Sequence, residues 1–262
     1  MLALVIDTSS AAVTTGVVRL ADGAEPELLA ERVTVDARAH GELLTPSIKA
    51  CLVEARIGPA ELAAVIAGLG PGPFTGLRVG LVTAAALADA IGLACYGVCS
   101  LDGIAARYPN EPALLVAGDA RRKEVYWARY QHGRRTGEPA VGKPTELPIA
   151  GVTAVTGAGA RLYAQVWQLP VLDGEFPTVT GLAGLAAARV LSRAAGESLS
   201  PLYLRRPDAV AGAQRKLVAE RKPTTERKLV TERKPTTERK PTTERKLVTE
   251  RKPTTERKPV SG

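Results

Sequence analysis

Residues 2–20 read LALVIDTSSAAVTTGVVRL. Two apolar, β-branched runs, 2–6 and 13–20, flank a polar turn at Asp7, Thr8, Ser9 and Ser10. Short apolar runs joined by so tight a turn predict antiparallel strands. A third strand is expected over residues 28–35. The same pattern returns at residues 113–131, ALLVAGDARRKEVYWARYQ, with a polar turn at Asp119. A strand–Asp turn–strand unit that occurs twice points to two similar α/β halves with a cleft between them.

The stretch between the two units supports this. Leu43, Leu44, Ile48, Cys51, Leu52 and Ala55 form a helical stripe. Pro46 sits early in it, so the helix is expected either to begin there, with Thr45 as cap, or to kink there. Residues 62–69 read as a strand, 70–76 as a Gly/Pro-rich turn and 77–91 as a helix. On that helix Leu77, Leu81, Ala84, Ala85 and Ala88 share one face. Residues 95–99 and 152–156 are further strand candidates, and 182–191 an amphipathic helix. A β-β-β-α-β-α-β order predicts an α/β fold with a mixed sheet.

The chain has 262 residues and a net charge of +8, with three Cys and two His. That length suits one large domain or two small ones and is enough to bury a core without disulfides. The charge is unevenly placed. Residues 215–262 repeat a six-residue unit, RKPTTE or RKLVTE, that holds 16 of the 35 basic and 7 of the 27 acidic residues. The tail is thus +9, and residues 1–214, with 19 basic and 20 acidic groups, are −1. Five of its prolines follow Lys and block helix propagation, so the tail is expected to be disordered. It reads either as a solvated extension or as a salt-dependent tether for RNA phosphates, with no aromatic to stack on bases. The odd Cys count fits a reducing cytosol, MLALVIDTSS lacks a signal peptide's basic start, and no membrane span is expected.

Asp7 and Asp119 admit two readings. Each could hold a metal or act as a base in a two-loop phosphotransfer site, or each could cap its hairpin. Neither turn contains the glycine that close approach to phosphate requires. GPGPFTGLRVG, residues 70–80, lacks the Gly-Lys-Ser/Thr of a phosphate-binding P-loop. It could present Thr75 or Gly76 to an anion at a helix N-terminus, or act as a close-packed turn that sets the helix angle. Gly157, Ala158 and Gly159 could back an adenine ring or form an ordinary strand-to-helix turn. His40 and His132 are not clustered, Cys95 and Cys99 make no metal quartet, and no Gly-x-Ser-x-Gly elbow appears.

Taken together, DTS (7–9), RAHGELLTPSI (38–48), GPGPFTGLRVG (70–80), SLD (100–102), DARRKEVYW (119–127) and PLYLRRP (201–207) resemble the TsaB family. The resemblance covers about residues 1–208. Pro73 stands where Ser is more usual, and the tail has no counterpart. The resemblance implies an actin-like, ribonuclease H-like two-lobed fold, with lobes at 1–102 and 103–208 and a tail at 209–262. It implies a cytoplasmic, non-catalytic subunit that pairs with a homologous threonylcarbamoyltransferase. That partner would modify the tRNA adenosine next to the anticodon.

It further implies that helices starting at His40 and Gly76 pack against the partner. The expected interface is Leu44, Ile48, Cys51, Leu52, Leu77, Arg78, Leu81, Ala84, Ala85 and Ala88. The alternative is that these stripes face the chain's own core. Asp7, Thr8, Gly72, Thr75 and Asp119 would be a vestigial nucleotide site. No metal or cofactor is expected in this chain. ATP and metal belong to partner subunits, including an ATPase, and tRNA is reached through the complex. Without its partner the chain could form a homodimer. The competing reading is an ATP-binding actin-like kinase or ATPase.

Overall fold

The computed structural model describes residues 1–205. The expectations for the repeat tail lie outside the described residues. Strands β1 (Leu2–Asp7), β2 (Ala12–Arg19) and β3 (Glu27–Val35) form an antiparallel meander. Helix α1 (His40–Ala55), strand β4 (Ala64–Gly68), helix α2 (Phe74–Ile91) and strand β5 (Ala94–Val98) follow. The strand order is β3-β2-β1-β4-β5, with β1, β4 and β5 parallel, so the sheet is mixed as expected.

Both faces of this sheet are covered, which is why β1 reads as an unbroken apolar run. Leu4 and Ile6 face α1 and α2, packing with Leu44, Ile48, Leu77 and Leu81. Ala3 and Val5 face the opposite way. They pack with Val179, Leu182, Ala183 and Ala186 of a helix that comes from the far end of the chain. α1 begins at His40 and continues through Pro46. The missing amide bond there is tolerated because Leu44 and Ile48 anchor the helix on either side of it.

A short helix α3 (Ser100–Ala105) leads to the second sheet. Its strands are β6 (Leu114–Asp119), β7 (Val125–Gln131), β8 (Arg134–Arg135), β9 (Ala140–Gly142) and β10 (Ala154–Thr156). β6 pairs antiparallel with β7 and parallel with β10. β1 stands in the same relation to β2 and β4, so the duplication read from the two Asp turns is a duplication of topology. Where the first sheet has the full parallel strand β5 beyond β4, the second has only a single parallel bridge beyond β10, Val155 to Val171. Helices α4 (Ala158–Leu162) and α5 (Ala164–Trp167) cover one face, where Ala160 and Trp167 meet Leu115, Ala117 and Val155. α3 covers the other through Leu101 and Ile104.

Helix α6 (Val179–Leu191) follows these strands in sequence but packs on the first sheet. Thr178 caps it, its Oγ1 accepting from the Gly181 amide at 3.0 Å. The chain leaving α6 is tied to the same sheet. The Tyr96 hydroxyl donates to the Ala194 carbonyl at 2.6 Å, and Arg189 pairs with Glu197 at 2.6 Å. Leu182 is fully buried in this contact. Leu182→Ala is expected to cost about 2–5 kcal/mol, seen as a lower urea midpoint with unchanged m-value.

Candidate functional site

The turns of the two hairpins face a common cleft of about 680 Å³. Ser9 and Ser10 line it from the first turn, Asp119 and Arg121 from the second, Phe74 and Thr75 from the start of α2, and His40 from the start of α1.

Asp7 is not on the cleft wall. It is fully buried, and both carboxylate oxygens are engaged. Oδ1 accepts from the Ser9 amide at 2.9 Å and from Ser9 Oγ at 2.8 Å. Oδ2 accepts from Ser100 Oγ, which in turn accepts from the Gly70 amide at 3.1 Å. Burial pushes the Asp7 carboxyl above its ordinary value, against the lowering effect of the Ser100 and Ser9 donors. Its neighbour β4 must end in glycine here, because a Cβ on Gly68 would lie 1.7 Å from Asp7 Oδ2. The side chain is a structural tie between the first turn, the Gly/Pro loop and α3.

Thr8 makes the second tie. Its Oγ1 donates to the Gly76 carbonyl at 2.7 Å and accepts from the Gly80 amide at 3.0 Å. Those two groups are the i and i+4 partners that a regular α-helix would join to each other, so the hydroxyl is inserted into the α2 ladder. The glycines of GPGPFTGLRVG follow from this approach. A Cβ on Gly72 would lie 1.9 Å from the Ser9 carbonyl oxygen, one on Gly76 2.9 Å from the Thr8 carbonyl oxygen, and one on Gly80 2.3 Å from Thr8 Oγ1. Of the two readings of this motif, the geometry is that of a close-packed turn. Thr75 is exposed at the cleft, while Gly72 is spent on contact with Ser9.

The remaining predicted residues divide. Asp119 is exposed, and its Oδ1 accepts from the Arg121 amide at 2.7 Å, so it caps its turn. His40 Nε2 lies 2.9 Å from the Ser10 carbonyl oxygen, a contact that requires the proton on Nε2. Gly157 and Gly159 press on β6, where a Cβ would meet the Ala117 oxygen at 2.3 and 3.0 Å respectively. Among the described residues no three His, Cys, Asp or Glu side chains gather as a metal set.

The helix stripe expected to face a partner faces the chain's own sheet instead. Leu44, Ile48, Cys51, Leu52, Leu77, Leu81, Ala84 and Ala88 are all buried in the first-sheet core, and of the ten only Arg78 and Ala85 are exposed. A periodic stripe marks a buried face, and the nearest apolar surface here is intramolecular. The other face of α2 is open and also apolar: Val82 is 66% exposed, beside Ala85 and Ala86. Two features escaped the sequence reading. One is the role of Ser100, quoted above only as part of SLD, whose hydroxyl bridges Asp7 and Gly70. The other is the stacked pair Phe74 and Tyr203, whose partners are far apart in the chain.

In an ordinary helix Gly→Ala adds about 1 kcal/mol. At Gly80 the sign is expected to reverse. Gly80→Ala should lower the urea midpoint, and Gly80→Ala combined with Thr8→Ser should not recover it, because the clashing atom is the hydroxyl oxygen itself.

Residues 27–150 match the family model described as TsaD: tRNA N6-adenosine threonylcarbamoyltransferase. An uncharacterized Mycobacterium leprae protein is 48% identical over 220 residues, 84% of this chain, and the chain spans 58% of that relative's length. The Escherichia coli tRNA threonylcarbamoyladenosine biosynthesis protein TsaB is 30% identical over 190 residues, 64% of this chain and 81% of that protein. YeaZ from Pseudomonas aeruginosa superposes with a TM-score of 0.65 at 26% identity, over 78% of this chain and 99% of that one. With this match to the Escherichia coli protein, and with the actin-like arrangement of two sheets about a cleft, the chain belongs to the TsaB family.

Proposed function

We propose that the chain is an accessory subunit in the synthesis of N6-threonylcarbamoyladenosine in tRNA, acting in the cytoplasm by pairing with a homologous transferase and performing no chemistry itself. The observation that carries the non-catalytic part is the state of Asp7. A two-lobed phosphotransferase would need this carboxylate free for a metal or a proton. Here both oxygens are committed to Ser9 and Ser100 beneath the cleft floor. Thr8 is likewise consumed inside α2.

The pairing surface we assign is the open face of α2 with the adjoining face of α1. Val82 and Val53 are 66% and 77% exposed, and Ala85 and Ala86 keep the backbone of α2 accessible to close approach. α2 carries only Arg78 and Asp89 as charges in 18 residues, apolar enough by composition to cross a membrane. Its Leu77, Leu81, Ala84 and Ala88 are packed on the sheet, so the apolar character left over lies on the outer face. An uncovered apolar helix face of this kind is suited to a second helical surface. An ATPase subunit and tRNA would then be met through the assembled complex.

Cells lacking the chain should lose the modified nucleoside, measured by mass spectrometry of digested tRNA. The wild-type gene should restore it, and Val82→Glu should not, with the circular dichroism of the variant unchanged. Normal levels of the modified nucleoside in the deletion strain would overturn the reading.

A further inference from the structure

The open face of α2 continues from Val82 back to the start of the helix. Phe74, Arg78, Val82, Ala85 and Asp89 are all exposed and recur at three- or four-residue spacing, so they form one stripe. Its first two members are joined by a residue from far along the chain. The Phe74 and Tyr203 rings stack with centroids 5.0 Å apart at 28°, and remain 41% and 40% exposed. The Arg78 guanidinium lies 3.8 Å from the Phe74 ring centre, and its Nε donates to the Tyr203 hydroxyl at 2.8 Å.

Two properties of this cluster go beyond what folding asks. The segment that carries Tyr203 is fixed on both sides without it. On one side Leu199 packs on the first core and the Leu202 amide donates to the Leu69 carbonyl at 2.8 Å. On the other, Arg205 donates to the Ala120 carbonyl at 3.0 Å and pairs with Glu124. Both rings also line a second cavity of about 450 Å³, so core packing is not what holds them together. The second property is the state of Arg78. Arginine is the side chain best shaped for a carboxylate, yet among the described residues Arg78 pairs with none. Holding an exposed arginine in one place costs side-chain entropy. Here one N–H is spent on Tyr203, and the four on the two terminal nitrogens meet no acceptor among the described residues.

We propose that Arg78, held ready by Phe74 and Tyr203, is the polar anchor of the pairing surface and receives a carboxylate of the transferase in a bidentate ion pair. The proposal rests on the pairing reading and names what the partner must present beside its apolar patch, an Asp or Glu side chain. A pre-set arginine among exposed rings has the composition of an interface hot spot, and its ordering cost is met before the partner arrives. The terminal nitrogens form the fork that a carboxylate fits. The stripe itself excludes a polyanion such as RNA as its occupant, because it carries one cation, one anion in Asp89, and apolar residues between them. Phe74 and Tyr203 are positioning residues in this arrangement.

The test is calorimetric titration of the full chain with the homologous transferase of the same organism, with a melting curve for every variant. Arg78→Ala is expected to weaken pairing about tenfold or more and to flatten its salt dependence, with the melting temperature unchanged. Arg78→Lys keeps the charge without the fork and should recover little of the loss. Tyr203→Phe keeps the stack, removes the hydroxyl and should weaken pairing about two- to tenfold. Among transferase variants with single surface Asp→Lys or Glu→Lys changes, one should restore pairing to Arg78→Glu. Wild-type affinity in Arg78→Ala or in Arg78→Lys would overturn the proposal and leave the pairing reading standing. A lowered melting temperature with unchanged affinity would do the same, reducing the cluster to a clasp for the segment after α6. Absence of any restoring change would overturn the carboxylate. Failure of the wild-type chain to pair at all would overturn the pairing reading, and the proposal with it.

Discussion

The position of α2 depends on one hydroxyl. Thr8 sits between the Gly76 carbonyl and the Gly80 amide, and so the first hairpin and the helix share a hydrogen-bond ladder. Such sharing requires backbone-to-backbone distances that no Cβ permits, which explains glycine at 72, 76 and 80. Asp7 and Ser100 close the same junction from below, with Gly70 as the third member. A buried carboxylate with all its partners supplied is expensive to form and more expensive to break. The junction therefore has one geometry, and both cavities inherit their walls from it.

The shared junction also explains the cleft. The same topology that could bring two Asp turns toward a phosphate here lines the cleft with Ser9, Ser10 and Ala11 from one turn and Asp119 and Arg121 from the other. Asp7 has been drawn below the surface, and Asp119 remains above it as the cap of a turn. The two halves match in strand pairing but not in the roles of their equivalent carboxylates. Architecture alone thus carries no activity with it.

Much of the fold was legible in sequence because its strands are short, apolar and bounded by turn residues. β1, β2, β3, β4, β5, β6, β7 and β10 all fall where the runs of apolar residues place them. The short helices α3, α4 and α5 were not legible, since four to six residues give no helical period. The start of α1 at His40 came from the family resemblance, because Pro46 argued locally for a later start. The direction of the helix stripes is not legible in sequence, for a physical reason. Period identifies a buried face but not what buries it. On α2 both faces are apolar, so period alone does not separate the inward stripe of Leu77 and Leu81 from the outward face where Val82 stands. The Phe74–Tyr203 contact spans most of the described chain and has no local signature at all.

The return of α6 to the first sheet bears on all of this. It covers the face that β1 would otherwise expose through Ala3 and Val5, and so frees α1 and α2 from having to close the core alone. With both faces of the sheet satisfied inside the chain, the outer side of α2 is not needed for folding. Yet that side is apolar, a composition that a merely solvated helix face would not require. The second sheet shows the contrast. It has only a single bridge where the first sheet has β5 and is covered only by short helices, and its β6–β7 turn is cationic, with three successive left-handed residues, rather than apolar. One half of the molecule is thus finished as a packing surface and the other as a polar one. The two halves duplicate a topology and divide the contacts that the topology can make.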